Sequence, residues 1–557
     1  MPQRSQYNID IPSTNILSYL FPENSIPSEK PLWIDSVNPN SKSLSPKQLR
    51  YWCKRVGHGL RSRYGLQDGD LVLMLSNNHI FIPVAYLGVA GAGLIFSGCN
   101  PSYTTREIAR QITDSCCKII LVEPGLSGVA LEAAQAASFP TKNILLFSDA
   151  PCDSQSGLLD WQTALPDTRE AQSWRWPPLT GKCSADTVAV LNYSSGTTGL
   201  PKGVMISHRN LIANVEQSIF MRNLPESSTA GQQDERWLGF LPLYHAYGQL
   251  WTILAACRMQ TPCYMMSKFD LMAFLSNIQK YRITHLQTAP PVIVMLAKRP
   301  ECNSFDLSSL RNIVSGAAPL ANTLQNEVSD KYNLRIVQTY GMTELTCSTL
   351  HVPGNLDDRS GSVGLIDPND EVKLLDNQGR EVAMGERGEV WVRGPNVCMG
   401  YWRNPTANAE TFDSDGFLRT GDVAVRDDRG WYWIVDRIKE LIKVKGFQVA
   451  PAELEAVLLE HPGVADAAVV GLKGEHEEQP MAYVTLKTEA LGKLSETALR
   501  EWVNAKVARH KHLTGGVYFV DIIPKSPSGK IQRMTMRTWA AEKAKEMAGT
   551  PAVKAKL

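Results

Sequence analysis

The chain has 557 residues, 43% hydrophobic and 20% charged, a globular composition long enough for about three or four domains. Lys plus Arg total 57 against 56 Asp plus Glu, a formal charge of +1, so no global field draws in nucleic acid or an anionic membrane. Eleven cysteines at irregular spacing, with no C-x-x-C pair, fit buried thiols in a reducing compartment and argue against a disulfide framework.

The N-terminal stretch MPQRSQYNIDIPSTNILSYLF has no apolar run of the kind a secretory signal needs. DLVLMLS reads as a strand. Ile80 to Gly98 is uncharged throughout and invites a membrane reading, but Pro83 and four glycines interrupt it. A buried helix followed by a second buried strand is the expectation there. CKIILVE, KNILLFS and TVAVLNY are further strands, with TREIARQITDSC as a helix between strands.

Straight after TVAVLN comes YSSGTTGLPKG, Tyr193 to Gly203. Glycines let backbone N–H groups converge on an anion, and Ser and Thr hydroxyls add donors with little bulk. With a buried strand before it and the helical stretch HRNLIANVEQS after it, the loop reads as a phosphate cradle at a helix N-terminus. A polar turn is the plain alternative. It is not a Walker A loop, because Pro201 and Lys202 stand where that pattern requires Gly-Lys.

Beyond it lie LPLYHAYG (Leu241–Gly248), the helix MAFLSNIQKY, and the strands HLQTAP, LRNIVSG and LRIVQTYG, with SGAAPL and QTYGMTEL at strand ends. This alternation argues for α/β layers with mostly parallel sheets. From Glu371, the segments EVKLLDNQGREV, GEVWVRG and GWYWIVD are alternating strands with tight turns, as in an antiparallel subdomain or barrel. After DRIKELIKVKG one more compact α/β pattern begins, which sets a domain boundary near Asp436. It includes PAELEAVLLEHPGV, ADAAVVGL, MAYVTLK, ALREWVNAKV and VYFVDIIP. His510 and His512 in RHKHL lack a third ligand and read as a solvated face.

The loop, LPLYHAYG, SGAAPL, QTYGMTEL, TGD (Thr420–Asp422), DRIKELIKVKGFQVAPAELE (Asp436–Glu455) and PKSPSGKIQR (Pro524–Arg533), in this order, resemble the adenylate-forming superfamily. That superfamily holds acyl-CoA synthetases, adenylation domains and beetle luciferases, and the chain looks most like its 4-coumarate–CoA ligase branch from about Leu32 to Arg537. The resemblance implies a large N-terminal domain, residues 1–436, of stacked α/β subdomains plus a β-barrel-like subdomain. A small mobile C-terminal α+β domain, residues 437–557, would follow.

It also implies an ATP-dependent acid–thiol ligase that joins a carboxylic acid to AMP, releases pyrophosphate, and passes the acyl group to coenzyme A. By the same resemblance Ser194, Ser195, Gly196, Thr197, Thr198 and Lys202 would wrap the β- and γ-phosphates, Thr343 would contact the α-phosphate, and Glu344 would hold Mg²⁺. Ala317 and Tyr340 would flank the adenine, with Gly341 beside it, and Asp422 with Arg437 would take the ribose. Lys530 would bind the charge developing where carboxylate meets phosphate.

His245, on local grounds a core histidine in an apolar run, would border the acyl carboxylate, and Tyr247, Ser315, Gly316, Thr339 and Gly341 would border the acyl pocket. Lys439 falls at the hinge of the small domain. Lys443, Lys445, Gly446 and Gln448 fall where the branch handles thiol and AMP.

Two departures stand out. The stretch after Glu344 reads LTCSTLHVP, where coumarate ligases have small residues followed by Pro-Val, which leaves phenylacetate-like, other aryl and medium-chain aliphatic acids open. Met481 stands where the branch commonly has a basic residue. The rival readings are a ligase that loads a carrier protein, a luciferase-type oxygenase, and a nucleotide-binding module without catalysis. The terminal Ala555-Lys556-Leu557 resembles the S-K-L class of address read by the peroxisomal import receptor. A fluorescent fusion at the N-terminus is therefore expected in peroxisomes, and deletion of these three residues should release it; diffuse cytosolic signal from the intact fusion would refute the address.

Overall fold

The computed structural model describes residues 2–152, 157–166, 168–194, 201–224, 234–354, 356–444, 447–473, 478–526 and 529–547. Ser195, Gly196, Thr197, Thr198, Lys445, Gly446 and the terminal Ala555-Lys556-Leu557 lie outside these residues.

Two large sheets carry the first part of the chain. One has eight strands in the order Gly400–Tyr401, Lys202–Ser207, Val188–Ser194, Ile95–Cys99, Leu71–Leu75, Ile119–Val122, Ile144–Leu146 and Leu159–Asp160. It is parallel from Val188–Ser194 onward and antiparallel at its other edge. Strands buried on both faces can be apolar at every position, and all five residues of Leu71–Leu75 are buried.

The uncharged segment resolves as expected. Helix Ile82–Gly91 is buried on every side and leads to the buried strand Ile95–Cys99. Among the described residues no helix is long and apolar enough to cross a membrane.

The second sheet has nine strands, with Arg335–Tyr340, Asn312–Ser315, His285–Thr288 and Trp237–Gly239 parallel at its centre. The two sheets approach closely. A methyl group on Gly98 would lie 2.7 Å from Tyr244 Cα, and the side-chain amides of Asn192 and Gln249 exchange hydrogen bonds of 2.8 and 3.0 Å across the gap. The third sheet is antiparallel, in the linear order Gln3–Arg4, Glu371–Leu375, Gly388–Arg393, Leu418–Arg426 and Tyr432–Arg437. Its first strand comes from the N-terminus, which nothing in the sequence pattern announced.

One local expectation needs correction. The stretch after the glycine-rich loop is not a helix N-terminus. Lys202–Ser207 first forms a strand antiparallel to Val188–Ser194, with Lys202 opposite Ser194, and helix His208–Arg222 starts only after Ser207 caps it. The strands on either side of the loop thus pair with each other. The run KGVMIS is short and has buried residues on both faces, so pairing decided what the sequence period left open.

Past Arg437 a separate small core forms, with Val449, Leu454, Leu458, Val469, Val484 and Leu499 among its buried members. It is built from the hairpin Ile442–Val444 with Phe447–Val449, the three-stranded sheet Val464–Lys473, Glu478–Leu486 and Gly516–Phe519, and the helices Pro451–Glu460 and Glu496–Asn504. Met481 is fully buried, a packing residue. Helix Arg533–Met547 is tied to it through Arg533, which pairs with Glu455 and donates to Val469 O at 2.8 Å.

Burial also sets a pH term. His208 is wholly buried, its Nδ1 accepts the Ile16 N–H at 3.1 Å, and burial pushes it down to about 3. His285 is likewise lowered to about 4, chiefly by burial. Unfolded histidine titrates near ~6.5, so below that pH the unfolded chain binds protons that the folded chain refuses. Stability should therefore fall as pH drops from ~6.5 toward 4. Urea midpoints at pH 7.5 and 5.0 test this: His208→Leu should be weaker than the parent at pH 7.5 yet lose less on acidification, and an equal loss would exclude His208 as a source.

Candidate active site

A cavity of about 30 Å³ lies where the parallel strands of the nine-stranded sheet end, the usual crevice of an α/β sheet. His245, Tyr247, Gly316, Ala317, Thr339, Tyr340, Gly341, Thr343 and Lys530 line it, so nine of the residues expected from the sequence meet at one place. Ser315 does not. It pairs in register with Gln338, one residue before Thr339, and alternation puts both side chains on the opposite face of the sheet.

The loop bearing His245 is clamped. Asn78 Nδ2 donates to Leu241 O at 2.9 Å while its Oδ1 accepts from Leu243 N–H at 3.0 Å. Tyr247 donates its hydroxyl to Val314 O at 2.9 Å, and its ring closes over Gly316. His245 Nδ1 accepts the Tyr247 N–H at 3.4 Å, which assigns the proton of the neutral ring to Nε2. Burial, helped by the nearby Lys530 charge, pushes His245 down to about 3. The ring is a neutral donor at physiological pH.

The stretch after Tyr340 is held by backbone contacts. A Cβ on Gly341 would stand 1.7 Å from Cys347 O, so only glycine fits. Thr346 has φ 62° and ψ −50°, and Cys347 N–H bonds Leu345 O at 2.6 Å, a strained γ-turn. This fold-back buries Glu344. Glu344 Oε1 accepts the hydroxyl of Tyr401 at 3.0 Å, and the ammonium of Lys202 sits 4.7 Å above the Tyr401 ring. Tyr401 thus joins the loop lysine to the carboxylate. It is 57 residues from Glu344 in sequence, and no motif or period marked it.

A second carboxylate organises the other side. In TGD, Gly421 takes φ +74°. Thr420 donates to Val390 O at 2.7 Å and accepts the Asp422 N–H at 3.1 Å. Asp422 Oδ2 accepts the Tyr340 hydroxyl at 2.7 Å, and its Oδ1 accepts Arg437 Nε–H at 2.9 Å. The Asp422 charge raises Arg437, and burial beside it pushes the Tyr340 phenol well up, so both stay protonated.

Lys530 comes from the small core. It sits in a tight hairpin in which Ser526 N–H donates to Lys530 O at 2.8 Å and Lys530 N–H donates to Ser526 Oγ at 3.1 Å. Gly529, at φ +83°, presses on Ala289 and Pro291, with its would-be Cβ 3.1 Å from each. Burial lowers the Lys530 ammonium and Arg437 lowers it further, against the pull of Glu344 and Asp422. Among the described residues that ammonium makes no hydrogen bond or ion pair. Lys443 and Gln448 point elsewhere: they are cross-strand partners on the exposed face of the hairpin Ile442–Val444 with Phe447–Val449. Lys439 is exposed in the turn between the last large-sheet strand and that hairpin, where Arg537 donates to its carbonyl at 3.0 Å.

The AMP-binding enzyme family matches residues 27–402, and its C-terminal domain matches residues 453–530. The chain belongs to the AMP-binding enzyme family. Among its relatives, a phenylacetyl-CoA ligase of Aspergillus niger is 36% identical, over 96% of this chain and 98% of that protein. A 4-coumarate–CoA ligase of Pinus taeda is 36% identical, over 94% and 95%. ATP-bound MatB from Rhodopseudomonas palustris superimposes with a TM-score of 0.80 at 28% identity, over 95% of this chain and 99% of that one. The anthranilate CoA ligase AuaEII in complex with anthranoyl-AMP shares the fold, with a TM-score of 0.83 at 24% identity over 96% and 99%.

In this AMP-binding enzyme the two cavity glycines should behave differently. Gly341→Ala drives a methyl into the Cys347 carbonyl and should lower the melting temperature and abolish acid-dependent pyrophosphate release together. Gly316→Ala meets only Thr339 Cγ2 at 3.1 Å and the Tyr247 ring at 3.3 Å, contacts that can give. It should melt near the parent and favour smaller acids. Equal loss in both variants would show that the pocket wall, rather than the fold-back, sets the glycine requirement.

Proposed function

We propose that the protein is an ATP-dependent acid–thiol ligase that converts an aryl or medium-chain carboxylic acid to its acyl-CoA, with AMP and pyrophosphate as the other products. The observation that carries this reading is the delivery of a lysine ammonium from the small core into a cavity lined by His245, Thr343 and Tyr340, the last of which donates its hydroxyl to Asp422, itself paired with Arg437. The names of the relatives, a phenylacetyl-CoA ligase and a 4-coumarate–CoA ligase, support the acid and the thiol.

In the first step a carboxylate oxygen attacks the α-phosphorus of ATP and pyrophosphate leaves. Repulsion between carboxylate and polyphosphate is the main obstacle, and preorganised charge removes it. Lys530 would pair with the carboxylate and α-phosphate oxygens, and Thr343 would donate to the latter. Neutral His245 would donate from Nε2 to the carboxylate without adding charge. Asp422 spends two of its roughly four acceptor sites on Tyr340 and Arg437, which leaves two for the ribose hydroxyls. Ala317, at φ 71°, and Tyr340 would bracket the adenine, with Gly341 at its edge.

Ser194 and Lys202, opposite each other in the hairpin, would bring the loop between them to the β- and γ-phosphates. Among the described residues no cluster of three metal ligands exists. Glu344, a lone buried carboxylate, suits Mg²⁺, which takes one or two carboxylates and completes its shell with phosphates and water. Bound there, the ion would supply Lewis-acid neutralisation of phosphate charge.

In the second step the CoA thiol attacks the acyl carbon and AMP leaves. We place the domain boundary at residues 436/437 and the hinge at Lys439, so that rotation withdraws Lys530 and presents Lys443, Lys445, Gly446 and Gln448 as the thiol path. Delivery to peroxisomes through Ala555-Lys556-Leu557 belongs to the same proposal and rests on the sequence alone.

The test separates the half-reactions. Lys530→Ala should cut acid-dependent pyrophosphate exchange by at least ~100-fold, the scale of one preorganised charge. Given ready-made acyl-adenylate, the same variant should still form thioester near the parent rate. Parallel losses in both steps would overturn the two-position mechanism.

A further inference from the structure

His351 lines the same cavity and belongs to no role assigned above. It stands on the strand Leu350–His351 directly opposite Thr339, which sets it against the wall formed by Thr339, Gly316 and Tyr247. Its side chain is more than nine-tenths buried. Nδ1 lies 2.8 and 2.9 Å from the two oxygens of Asp367, a residue with no exposed surface. Asp367 therefore fixes the proton on Nδ1 and the plane of the ring. Nε2, on the other edge of the ring, is buried and makes no hydrogen bond among the described residues.

The groups around the pair explain why it is held so firmly. Asp370 lies next to Asp367, and burial together with the Asp367 charge pushes its carboxyl up, against the hydrogen bonds it accepts. Gln217 donates to Asp370 Oδ1 at 2.8 Å and Thr349 donates to Oδ2 at 2.6 Å. The network accounts for Asp370 and for Nδ1 and stops at Nε2. A buried polar atom left unmet is costly unless a ligand meets it.

We propose that His351, oriented by Asp367, is a specificity-determining residue that hydrogen-bonds an oxygen substituent on the tail of the acid, so that the preferred substrates are hydroxylated acids rather than their hydrocarbon counterparts. The inference rests on the ligase reading above. A hydroxyl suits Nε2 in either protonation state, because it can accept from Nε2–H or donate to the bare nitrogen. An unsubstituted tail leaves the nitrogen unmet, and sites built to bond a substrate hydroxyl reject the analogue that lacks it far more strongly than pockets sense a methylene. Asp367 is a positioning residue: it touches the ring and not the acid.

The experiment uses the full-length enzyme, ATP, Mg²⁺ and matched acids, namely phenylacetate with its ring-hydroxylated forms and octanoate with 8-hydroxyoctanoate. Pyrophosphate release gives kcat/KM for each. The hydroxylated member of at least one pair should be preferred by about tenfold or more. His351→Leu should erase or invert that ratio. His351→Gln, which keeps a donor and an acceptor, should restore part of it. Asp367→Asn should shrink the ratio mainly through KM. Should the Leu variant fail to fold, the parent ratio and the Gln variant decide. A parent that turns over both members of every pair equally, or prefers the unsubstituted ones, overturns the proposal and leaves the ligase reading intact. If no acid releases pyrophosphate, the ligase reading fails and this proposal fails with it.

Discussion

A single ammonium, Lys530, with no ion pair among the described residues, organises this site. Lys530 sits where burial and Arg437 both disfavour its charge, and only Glu344 and Asp422 favour it. Such a place gives the lysine little stability, since a partly buried cation without an ion pair among the described residues gains nothing to offset its lost hydration. The cost falls once anionic oxygens enter the cavity. A carboxylate and a phosphate are the pair that need such a charge, and they need it only while the bond between them forms.

The surrounding architecture is arranged so that the charge can be both delivered and removed. Delivery depends on contact between backbone and small apolar side chains: Gly529, at φ +83°, lies close on Ala289 and Pro291, where a Cβ would stand 3.1 Å from each. Beyond that point the two cores meet near the connecting turn, through polar contacts such as Arg387 with the Gln448 carbonyl and Asp436 with the Ala452 N–H and through a small apolar cluster of Val423, Leu441 and Ala450. The small core is closed on itself, with its own buried residues and its own helix fastened by Arg533 and Arg537 to Glu440 and Glu455. A unit with an independent core and a small, local attachment is the kind that moves as a rigid body.

What the sequence disclosed follows from the reach of each signal. Strands buried on both faces announce themselves as apolar runs, and so DLVLMLS, CKIILVE and LRIVQTYG fell where the period put them. Short motifs whose chemistry needs adjacent residues were legible too: TGD requires a left-handed Gly421 between a turn-closing Thr420 and the acceptor Asp422. Pairing across the chain was not legible. KGVMIS drew no reading as a strand because its partner strand decides its state, Gln3–Arg4 gave no hint of joining Glu371–Leu375, and Ser315 was placed in the pocket by motif alone when register turns it away. Tyr401 and His351 escaped for the same reason. Each acquires meaning only from a residue elsewhere, Glu344 in one case and Asp367 in the other.

The same division explains why the reaction is easier to read than the acid. From Gly341 to Ser348 the chain is fixed by its backbone: Gly341 against the Cys347 carbonyl, the γ-turn at Thr346, and Cys398 N–H on the Glu344 carbonyl at 2.9 Å. These constraints hold Glu344 and Thr343 whatever side chains follow. Cys347, Ser348 and His351 then line the cavity from positions whose backbone is already determined, so they can change without disturbing the phosphate end. A family can keep one chemistry and vary its acids because the residues that read the tail are mechanically separate from the residues that hold the charge. The segment LTCSTLHVP is where the separation is visible: its first residues complete a fixed turn, and its His351 ends a buried network that reaches the pocket one bond short of complete.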